Sequence, residues 1–282
     1  MLIFNSQADL KQHLNTVASP KTTIGFVPTM GALHQGHLSL IGQSIRENQI
    51  TVVSIFVNPT QFNNAEDLAK YPRTQEQDVA KIKTLSEDVI VFTPTVEDIY
   101  QGNTVSQPFD FDGLENQMEG ERRPGHFDGV GTIVKRLFEI VTPTNAYFGE
   151  KDFQQLLIVK KMVEKHHLPV HIIGCAIYRE ESGLAMSSRN ERLSTHDRNE
   201  SAIIYKILQE AKEKFITESP ENVKAWVTKS FLQHPDFTLE YFQIADEKTL
   251  LPIILKDEKK HYRAFIAVFI NNIRLIDNIS LN

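Results

Sequence analysis

The alternation of short apolar segments with segments of helical pattern is the feature that most constrains the fold of this chain. Residues 22–29, 50–57 and 88–94 are short and rich in apolar residues, as strands covered on both faces are. Helical patterns separate them at 37–48 and 74–85. Strands and helices that alternate in this way form a parallel sheet with right-handed crossovers. A parallel sheet flanked by helices is therefore predicted.

The same pattern continues past the middle of the chain and then changes. Residues 145–149 and 169–177 are predicted strands, with a helix between them in 150–167. We therefore predict an α/β fold: a Rossmann-like domain at 1–176 with a parallel sheet and helices on both faces, and a smaller α+β C-terminal domain with antiparallel strands at 177–282. In the second domain, helices are predicted at 195–216 and 221–234, and strands at 237–246, 262–270 and 272–277.

Composition argues against several classes of protein. The net charge of −6 and the lack of a long basic block disfavour binding to nucleic acid over a broad surface. No window approaches the ~20 uninterrupted apolar residues that cross a membrane, and the N-terminus lacks the pattern of a secretory signal. A single cysteine, Cys175, cannot form an intramolecular disulfide, which fits a reducing compartment. We expect a cytoplasmic protein that binds neither nucleic acid nor membranes.

The segment PTMGALHQGH, residues 28–37, follows the first of these strands and precedes a helix. Ligands of parallel sheets bind at the carboxyl ends of the strands, and the N-terminus of a helix attracts anions such as phosphate. Gly31 and Gly36 would let the backbone approach a ligand, and His34 and His37 can donate N–H hydrogen bonds to phosphoryl oxygens. The segment therefore predicts a site for nucleotide phosphates.

This segment has other interpretations. Gly31 and Gly36 have the glycine spacing of a Walker A loop, but His37 and Leu38 stand where that loop has Lys and Ser or Thr. A zinc site is disfavoured because the histidine spacing is not HExxH and the chain has one cysteine. On this segment alone, a loop with incidental histidines remains an alternative.

Three further segments rich in hydrogen-bond donors favour the phosphate site. Residues 149–156 follow a predicted strand and contain Lys151, and residues 58–62 end another strand and offer amides, including that of Gln61. Residues 186–190 carry two hydroxyls and a guanidinium in a loop. Taken singly, each has a structural alternative, such as a solvated helix start or an N-capping stretch. Their coincidence at strand ends or in a flanking loop favours a nucleotide site.

These segments, in this order, resemble the pantoate–β-alanine ligases of the adenylate-forming, nucleotidyltransferase-like superfamily. The Gly-His pair at 36–37 is similar to the HIGH signature of that superfamily, and MSSRN at 186–190 is similar to its KMSKS counterpart. The similarity runs from about residue 20 to 195 and continues more weakly to the C-terminus. The other matching segments are FVNPTQFN (56–63), YPRT (71–74), RPGHFDGV (123–130), FGEKDFQQL (148–156) and GLAMSSRN (183–190).

The resemblance implies an ATP-dependent ligase that joins (R)-pantoate to β-alanine through a pantoyl adenylate, with pantothenate, AMP and diphosphate as products. It also implies Mg²⁺ with ATP and a homodimer paired through the N-terminal domain. Because MSSRN lies at the junction of the two predicted domains, the C-terminal domain is a candidate lid. The alternative is a related nucleotidyltransferase that acts on another small acceptor and lacks the glutamines at 58–62 and 149–156. A nucleotide-sensing domain without chemistry is disfavoured, because the set of candidate phosphate donors is intact.

The resemblance also implies roles for individual residues. His34, His37 and Lys151 would act in catalysis, and Gln61 and Gln155 would bind pantoate. No residue is assigned to the metal. The residues implied in ATP binding are Met30, Gly31, His34, Gly36, His37, Gly149, Glu150, Lys151, Asp152, Tyr178, Met186, Ser187, Ser188 and Arg189.

Two positions depart from the family pattern, and one group of residues has two interpretations. Gln35 stands where the family often has Glu, and Tyr178 stands where it often has Val and would contact adenine through its backbone. Val130, Ile133 and Val134 could line the pocket for the dimethyl carbon of pantoate or belong to the helix core.

Overall fold

The computed structural model describes the backbone of residues 1–282 and the side chains of all of them except Asp67. The chain divides into two compact units. The first comprises Met1–Glu150 and Gln154–Ala176, and the second comprises Lys151–Phe153 and Ile177–Asn282. Three residues, Lys151–Phe153, thus lie with the second unit although the first unit flanks them in sequence.

The first unit is built on a parallel sheet of six strands in the order β1-β4-β3-β2-β5-β6. All of the pairings are parallel, which confirms the predicted fold. Leu2–Phe4 form an edge strand for which the sequence showed no pattern. The strands are β1 (Leu2–Phe4), β2 (Ile24–Thr29), β3 (Ile50–Ile55), β4 (Ile90–Phe92), β5 (Asn145–Gly149) and β6 (His171–Cys175).

Helices cover both faces of this sheet. Successive strand residues point to opposite sides, so the apolar residues of one strand pack on each face in turn. On β2, Val27 belongs to a buried cluster that includes Ile41 and Ile82, whereas the ring of Phe26 contacts that of Phe138. The helices are α1 (Gln7–Val17), α2 (Gln35–Glu47), α3 (Ala65–Lys70), α4 (Gln75–Lys83), α5 (Val96–Tyr100), α6 (Met118–Arg122), α7 (His126–Val141) and α8 (Phe153–Lys165).

The second unit contains the predicted antiparallel sheet, and its three strands lie in the order β7-β8-β9. Its strands are β7 (Phe237–Asp246), β8 (Tyr262–Ile270) and β9 (Ile273–Ser280). Its helices are α9 (Thr195–Glu200), α10 (Ile203–Thr217) and α11 (Pro220–Phe231). Strand β8 is almost wholly buried and packs with α10 and α11 in one apolar cluster.

One predicted helix, 195–216, is divided in the structure into α9 and α10. At the break, the Ser201 hydroxyl donates to the Asp197 carbonyl at 2.7 Å, and the Ile204 N–H donates to the Ser201 carbonyl at 3.2 Å. Such side-chain and shorter-range bonds compete with the regular helical pattern. Among the described residues, no helix has both the length and the apolarity needed to cross a membrane.

Candidate active site

The loop that joins β2 to α2 is held in place by a carboxylate of α4. Gly31 and Ala32 both have positive φ, at 83° and 50°. The Asp78 carboxylate is buried and accepts the N–H groups of Ala32 at 2.9 Å and Leu33 at 2.7 Å. A Cβ at Gly31 would lie 3.1 Å from Oδ2 of Asp78. The backbone N–H groups of this loop therefore bind a side chain of the same protein, the Asp78 carboxylate. Glycine at position 31 permits the close approach of that carboxylate to the backbone.

Two further side chains, one on α4 and one at its N-cap, reinforce the contact between Asp78 and the loop. The Lys81 ammonium donates to the Leu33 carbonyl at 2.6 Å, and the Thr74 hydroxyl donates to the Asp78 carboxylate at 3.2 Å. The loop is thus bonded through its N–H groups and through a carbonyl. This arrangement fixes the backbone that leads into α2 before any ligand binds.

The two histidines stand side by side at the start of α2. Their ring centroids are 4.0 Å apart, and His34 is the N-cap of the helix. Nδ1 of His34 accepts the Gly36 N–H at 3.1 Å, and Nδ1 of His37 accepts the His34 N–H at 3.3 Å. A ring nitrogen that accepts a hydrogen bond carries no proton, so these bonds assign the proton of each neutral ring to Nε2. In this arrangement Nδ1 of each ring is an acceptor, so Nε2 is the nitrogen that carries the N–H of each neutral imidazole.

The predicted pantoate residue Gln61 lies against the predicted ATP residue Met30. The Gln61 amide nitrogen is 2.9 Å from the Met30 sulfur, and the Asn58 amide donates to the Gln61 amide oxygen at 3.1 Å. Both Asn58 and Gln61 are buried. Because a contact at each end of the amide fixes its orientation, Gln61 is held before any ligand binds.

A buried network behind Gln61 was not predicted from the sequence. The Tyr100 hydroxyl donates to Oδ1 of Asn58 at 2.5 Å, and Nδ2 of Asn58 donates to the Gly129 carbonyl at 3.2 Å. Burial raises the pKa of the Tyr100 phenol above its ordinary value, so the phenol keeps its proton at neutral pH. Tyr100 ends a short helix with no recognisable motif, and its role becomes visible only in the fold.

The segment RPGHFDGV, residues 123–130, supports the turn that carries Gln61. His126 Nδ1 lies 2.8 Å from the Gln61 carbonyl oxygen. A Cβ at Gly129 would lie 2.4 Å from the Thr60 carbonyl oxygen, so only glycine lets α7 approach the 3₁₀ turn Pro59–Gln61. The segment thus positions the backbone of Gln61. Val130, Ile133 and Val134 of α7 are buried in the core, and their role as a pantoate wall stays a prediction.

The neighbouring glutamines of α8 differ in their surroundings. Gln154 is buried, and its amide nitrogen donates to the Leu114 and Gln117 carbonyls, both at 2.8 Å. Its oxygen accepts the Glu119 N–H at 3.0 Å. Gln155 is only partly buried. Gln154 therefore stabilises the segment around α6, and the role of Gln155 in binding pantoate stays a prediction.

In the second unit, Lys151 lies in the 3₁₀ turn Glu150–Asp152. Its side chain is 15% exposed, and its ammonium nitrogen is 3.7 Å from a carboxylate oxygen of Asp152. Its carbonyl oxygen accepts a hydrogen bond from the Asn278 amide at 2.9 Å. Lys151 is thus a largely covered cation, and its backbone is bonded to β9.

A short hairpin carries the other predicted ATP residues of the second unit. The Met186 N–H donates to the Tyr178 carbonyl at 3.0 Å, and Gly183 has a φ of 92° in the turn. The Tyr178 side chain is 44% exposed. The Ser187 hydroxyl accepts the Arg189 N–H at 3.2 Å and caps the 3₁₀ segment Ser188–Arg192. Ser187 therefore serves as a cap in this structure, and its contact with phosphate stays a prediction.

The hairpin and the 3₁₀ segment are joined by Asn190. Its amide nitrogen donates to the Glu180 carboxylate at 2.8 Å and to the Ala185 carbonyl at 3.1 Å. The same carboxylate accepts Nε of Arg198 at 2.9 Å and Nη2 of Arg198 at 3.0 Å. The segment that precedes α9 is therefore held by a paired charge and not by backbone bonds alone.

Neither a metal centre nor a cysteine nucleophile is indicated. Among the residues with described side chains, no group of three or more His, Cys, Asp or Glu could hold a metal ion. Burial and the nearby carboxylates of Glu47 and Glu150 raise the pKa of Cys175 to about 11. The thiol is therefore protonated at neutral pH and a poor nucleophile.

The structure divides the predicted site residues between the two units. It brings His34 next to His37 and Gln61 next to Met30 in the first unit, and it pairs Tyr178 with Met186 in the second. The first unit holds Met30, Gly31, His34, Gly36, His37, Gln61, Gly149, Glu150 and Gln155, and the second holds Lys151, Asp152, Tyr178, Met186, Ser187, Ser188 and Arg189.

A parallel α/β unit with paired imidazoles at the start of a helix after a strand is the arrangement that the resemblance to nucleotidyltransferase-like ligases implies. A family model described as "Pantoate-beta-alanine ligase" matches residues 2–280. The chain therefore belongs to the pantoate–β-alanine ligase family, as its motifs predicted.

Individual relatives agree with this assignment. The pantothenate synthetase of Flavobacterium psychrophilum is 63% identical over 281 residues, which is 100% of both chains. The crystal structure of pantothenate synthetase from Thermus thermophilus matches with a TM-score of 0.90 and 39% identity, over 100% of this chain and 99% of that one. The pantoate-β-alanine ligase of Francisella tularensis, crystallised with "Beta-gamma ATP" and β-alanine, matches with a TM-score of 0.82 and 36% identity, over 100% and 98%.

Proposed function

We propose that this chain joins pantoate to β-alanine at the expense of ATP, and that a pantoyl adenylate is the intermediate. The observation that carries the proposal is the pair of imidazoles side by side at the start of α2, each oriented by a hydrogen bond from the backbone to Nδ1. The full-length relative named pantothenate synthetase and the ligase crystallised with β-alanine support the choice of substrates.

The first step needs alignment and charge neutralisation, but no general base. The carboxylate of pantoate is ionised at neutral pH and can attack the α-phosphorus of ATP directly. Negative charge then develops on the phosphoryl oxygens and on the departing diphosphate. His34 and His37 would donate to these oxygens from rings whose orientation is already fixed through Nδ1. Fixed donors stabilise such charge without the cost of reorganisation.

Gln61 would bind the acid substrate. Its amide is oriented by Asn58 and lies against Met30, so it can donate to an oxygen of pantoate without first changing its position. We assign Gln155, which is only partly buried, to the same substrate. Two amides suit an acid that carries hydroxyls, because an amide both donates and accepts.

The cationic and hydroxyl residues of the second unit complete the proposal for ATP. Lys151 and Arg189 would neutralise phosphate charge, and Ser187 and Ser188 would donate hydrogen bonds. Gly149 suits close approach by a ligand, because no described atom outside Gly149 and its two chain neighbours lies within 4 Å of the position of a Cβ there. Glu150, Asp152, Tyr178 and Met186 belong to the same proposed binding set.

In the second step, the amine of β-alanine attacks the carbonyl carbon of the adenylate. A C–N bond forms, the bond from that carbon to the AMP oxygen breaks, and the amine loses a proton. We assign no residue as the base. The intermediate must stay protected from water until the amine arrives, since hydrolysis would return pantoate.

The accompanying ion and the assembly are also part of the proposal. Magnesium commonly binds through phosphate oxygens and few protein carboxylates. The described side chains form no metal-binding cluster, so we treat MgATP as the substrate and assign no protein ligand. From the family resemblance we further propose a homodimer in the cytoplasm, which analytical ultracentrifugation and cell fractionation would test.

The direct test is the release of diphosphate from ATP and pantoate, with and without β-alanine. We expect a burst of about one equivalent with pantoate alone, followed by slow release, and sustained release with β-alanine. A control acid of similar size without hydroxyls should give little release. Equal sustained release with and without β-alanine would show that adenylation of pantoate is not coupled to the amine. The lack of any pantoate-dependent release would favour a nucleotidyltransferase that acts on another acceptor, and release of ADP would contradict the proposal.

A further inference from the structure

The segment Lys151–Phe153 is fastened to the antiparallel sheet of the second unit. The Asn278 amide on β9 donates to the Lys151 carbonyl at 2.9 Å. On β8, the Arg263 guanidinium lies 3.9 Å from the centre of the Phe153 ring, and the ring of Phe265 lies 6.0 Å from that of Phe153. These contacts explain why the segment lies with the second unit although the first unit flanks it in sequence.

Asn278 is suited to this position because both ends of its amide are used. Its side chain is 2% exposed, and its oxygen accepts Nη1 of Arg263 at 2.7 Å. Arg263 is itself buried, and its Nε donates to the Glu247 carboxylate at 2.9 Å. Asparagine supplies a donor to Lys151 and an acceptor to Arg263 at once, which neither aspartate nor alanine does.

The preceding residue of β9 holds a second predicted ATP-binding segment. The Asp277 carboxylate accepts two hydrogen bonds from Arg179, at 2.6 and 3.0 Å. Arg179 is the hairpin residue next to Tyr178, and it also donates to the Gly183 carbonyl at 3.0 Å. Burial raises the pKa of the Asp277 carboxyl, although Arg179 and Lys151 both act to lower it. Neighbouring residues of one strand thus contact both segments.

We propose that Asn278 is a positioning residue, which places the Lys151 ammonium by fixing the backbone of residue 151. This inference rests on the proposed role of Lys151 in contacting ATP phosphates. A lysine reaches its target through a flexible four-carbon stem, so the position of its backbone limits where the charge can lie. A displacement of about 1 Å in a reacting group can cost up to about 10²-fold in rate.

The test is a double-mutant cycle between Asn278 and Lys151. Diphosphate release is measured for Asn278→Ala and Asn278→Asp, each made in the wild-type chain and in Lys151→Ala. We expect both substitutions to slow release about tenfold in the wild-type chain and less than about twofold in Lys151→Ala, since linked residues are not additive. The matched control, Asn222→Ala on the exposed face of α11, should match the wild type in both backgrounds.

Equal losses in the two backgrounds would overturn the proposal, because they would show that Asn278 acts on the fold and not through Lys151. A rate within twofold of the wild type for both Asn278 variants would overturn it as well. Asn278→Asp keeps the acceptor for Arg263, so it is the variant to interpret if Asn278→Ala melts at a much lower temperature.

Hydrogen exchange separates this inference from the proposed function. The amides of residues 149–153 should exchange faster in Asn278→Ala than in the wild type, and at the wild-type rate in Asn222→Ala. Should the wild-type chain release no diphosphate at all, the proposed function would fail. Hydrogen exchange at residues 149–153 would still decide whether Asn278 fixes the backbone of Lys151. Unchanged exchange rates in Asn278→Ala would show that it does not.

Discussion

The two sets of proposed phosphate-binding residues are held in opposite ways. In the first unit, the loop before α2 is fixed through its N–H groups by the charged carboxylate of Asp78. In the second, the backbone of Lys151 is fixed through its carbonyl by the neutral amide of Asn278. Hydrogen bonds to a charged group are about twice as strong as neutral ones. The histidine loop should therefore be the more rigid of the two, and the lysine segment the easier to displace.

Removal of a histidine donor should have the largest effect. His37→Ala deletes an Nε2–H donor and the Nδ1 acceptor for the His34 N–H. We expect adenylate formation to slow by about 10²–10³-fold, the usual cost of one preorganised oxyanion donor. Rapid-quench measurement of the adenylate gives the rate.

The matched control is His13→Ala, which removes an imidazole that packs on Phe4 away from this loop. It should leave the rate within about twofold. A His37→Ala rate that close to the wild type would remove His37 from the mechanism.

Lys151→Ala should follow, with a loss of about 10²-fold in turnover and little change in melting temperature. In the proposed mechanism the side chain contributes charge to the site, whereas the segment is held by its backbone and by Phe153. Activity and thermal unfolding are to be measured on the same sample. Lys165→Ala, which removes a surface ion pair with Asp110, is the control. A melting temperature that falls together with activity would assign Lys151 a structural role instead.

Asp78→Asn tests the anchor of the histidine loop. The amide offers one oxygen for two N–H groups, so the Ala32 or the Leu33 N–H should face a second donor in a buried site. We expect a loss of about 1–3 kcal/mol in the free energy of unfolding. Turnover should also fall about tenfold, since a small misplacement of catalytic groups is costly.

Asp98→Asn provides the comparison for that experiment, because Asp98 accepts the Gln7 N–H at 3.0 Å in the same unit. It should lower stability without a comparable loss in turnover of the folded enzyme. If the two variants lose turnover equally, the Asp78 carboxylate has no special link to the histidines.

Gln61→Glu should weaken pantoate binding about tenfold, equivalent to about 1.4 kcal/mol, and ATP binding less than about twofold. A carboxylate at this position repels the anionic acid and lacks the amide donor. Calorimetric titration with each ligand separates the two effects. Gln12→Glu, an exposed residue of α1, introduces the same charge change elsewhere. Equal weakening of both ligands would exclude Gln61 from the acid pocket.

The smallest effect concerns stability at high pH and two buried groups of the first unit. Burial and the nearby Glu47 raise the pKa of Tyr147 from 10.0 to about 12, and that of Cys175 from 9.0 to about 11. The unfolded chain releases these protons at lower pH than the folded chain does. Stability should therefore be unaffected by these groups below about pH 9 and fall progressively towards pH 12.

Urea unfolding at pH 8 and pH 11 measures this dependence. Tyr147→Phe should reduce the fall in stability between the two values, whereas Tyr178→Phe, a change at an exposed tyrosine, should not. A pH dependence that is the same in both variants would show that Tyr147 does not contribute.

Much of the fold was predictable because its signals are local. The central strands are apolar runs between helical patterns, and observed strands such as Ile24–Thr29 and Ile50–Ile55 lie within the predicted ranges. Leu2–Phe4 was not predicted, since three residues carry no periodicity and the strand exists through its pairing with β4. Residues 101–126, rich in Gly, Asn, Gln and Pro, show no helical pattern in the sequence but contain the helix Met118–Arg122, which the amide of Gln154 helps to hold in place.

Of the site residues, the sequence predicted only those that lie within contiguous motifs. Histidine, lysine and serine positions were found because the motifs that carry them are contiguous. The residues that hold them were not found, because Asp78 lies 46 residues from Ala32 and Asn278 lies 127 residues from Lys151. Asp78 is an ordinary acid in a polar helix, and Asn278 is an ordinary polar residue in a strand. Only the folded chain shows what each of them contacts.

The adenylate route is tested most directly by the fate of the carboxylate oxygen of pantoate. If that carboxylate attacks the α-phosphorus, one of its oxygens becomes the bridge of the intermediate and leaves with AMP when the amine attacks. Pantoate that carries heavy oxygen in its carboxylate should then give AMP with one heavy oxygen per turnover, and diphosphate with none. Mass spectrometry of the products decides the matter. Label in inorganic phosphate, together with ADP, would establish an acyl phosphate route and contradict the adenylate.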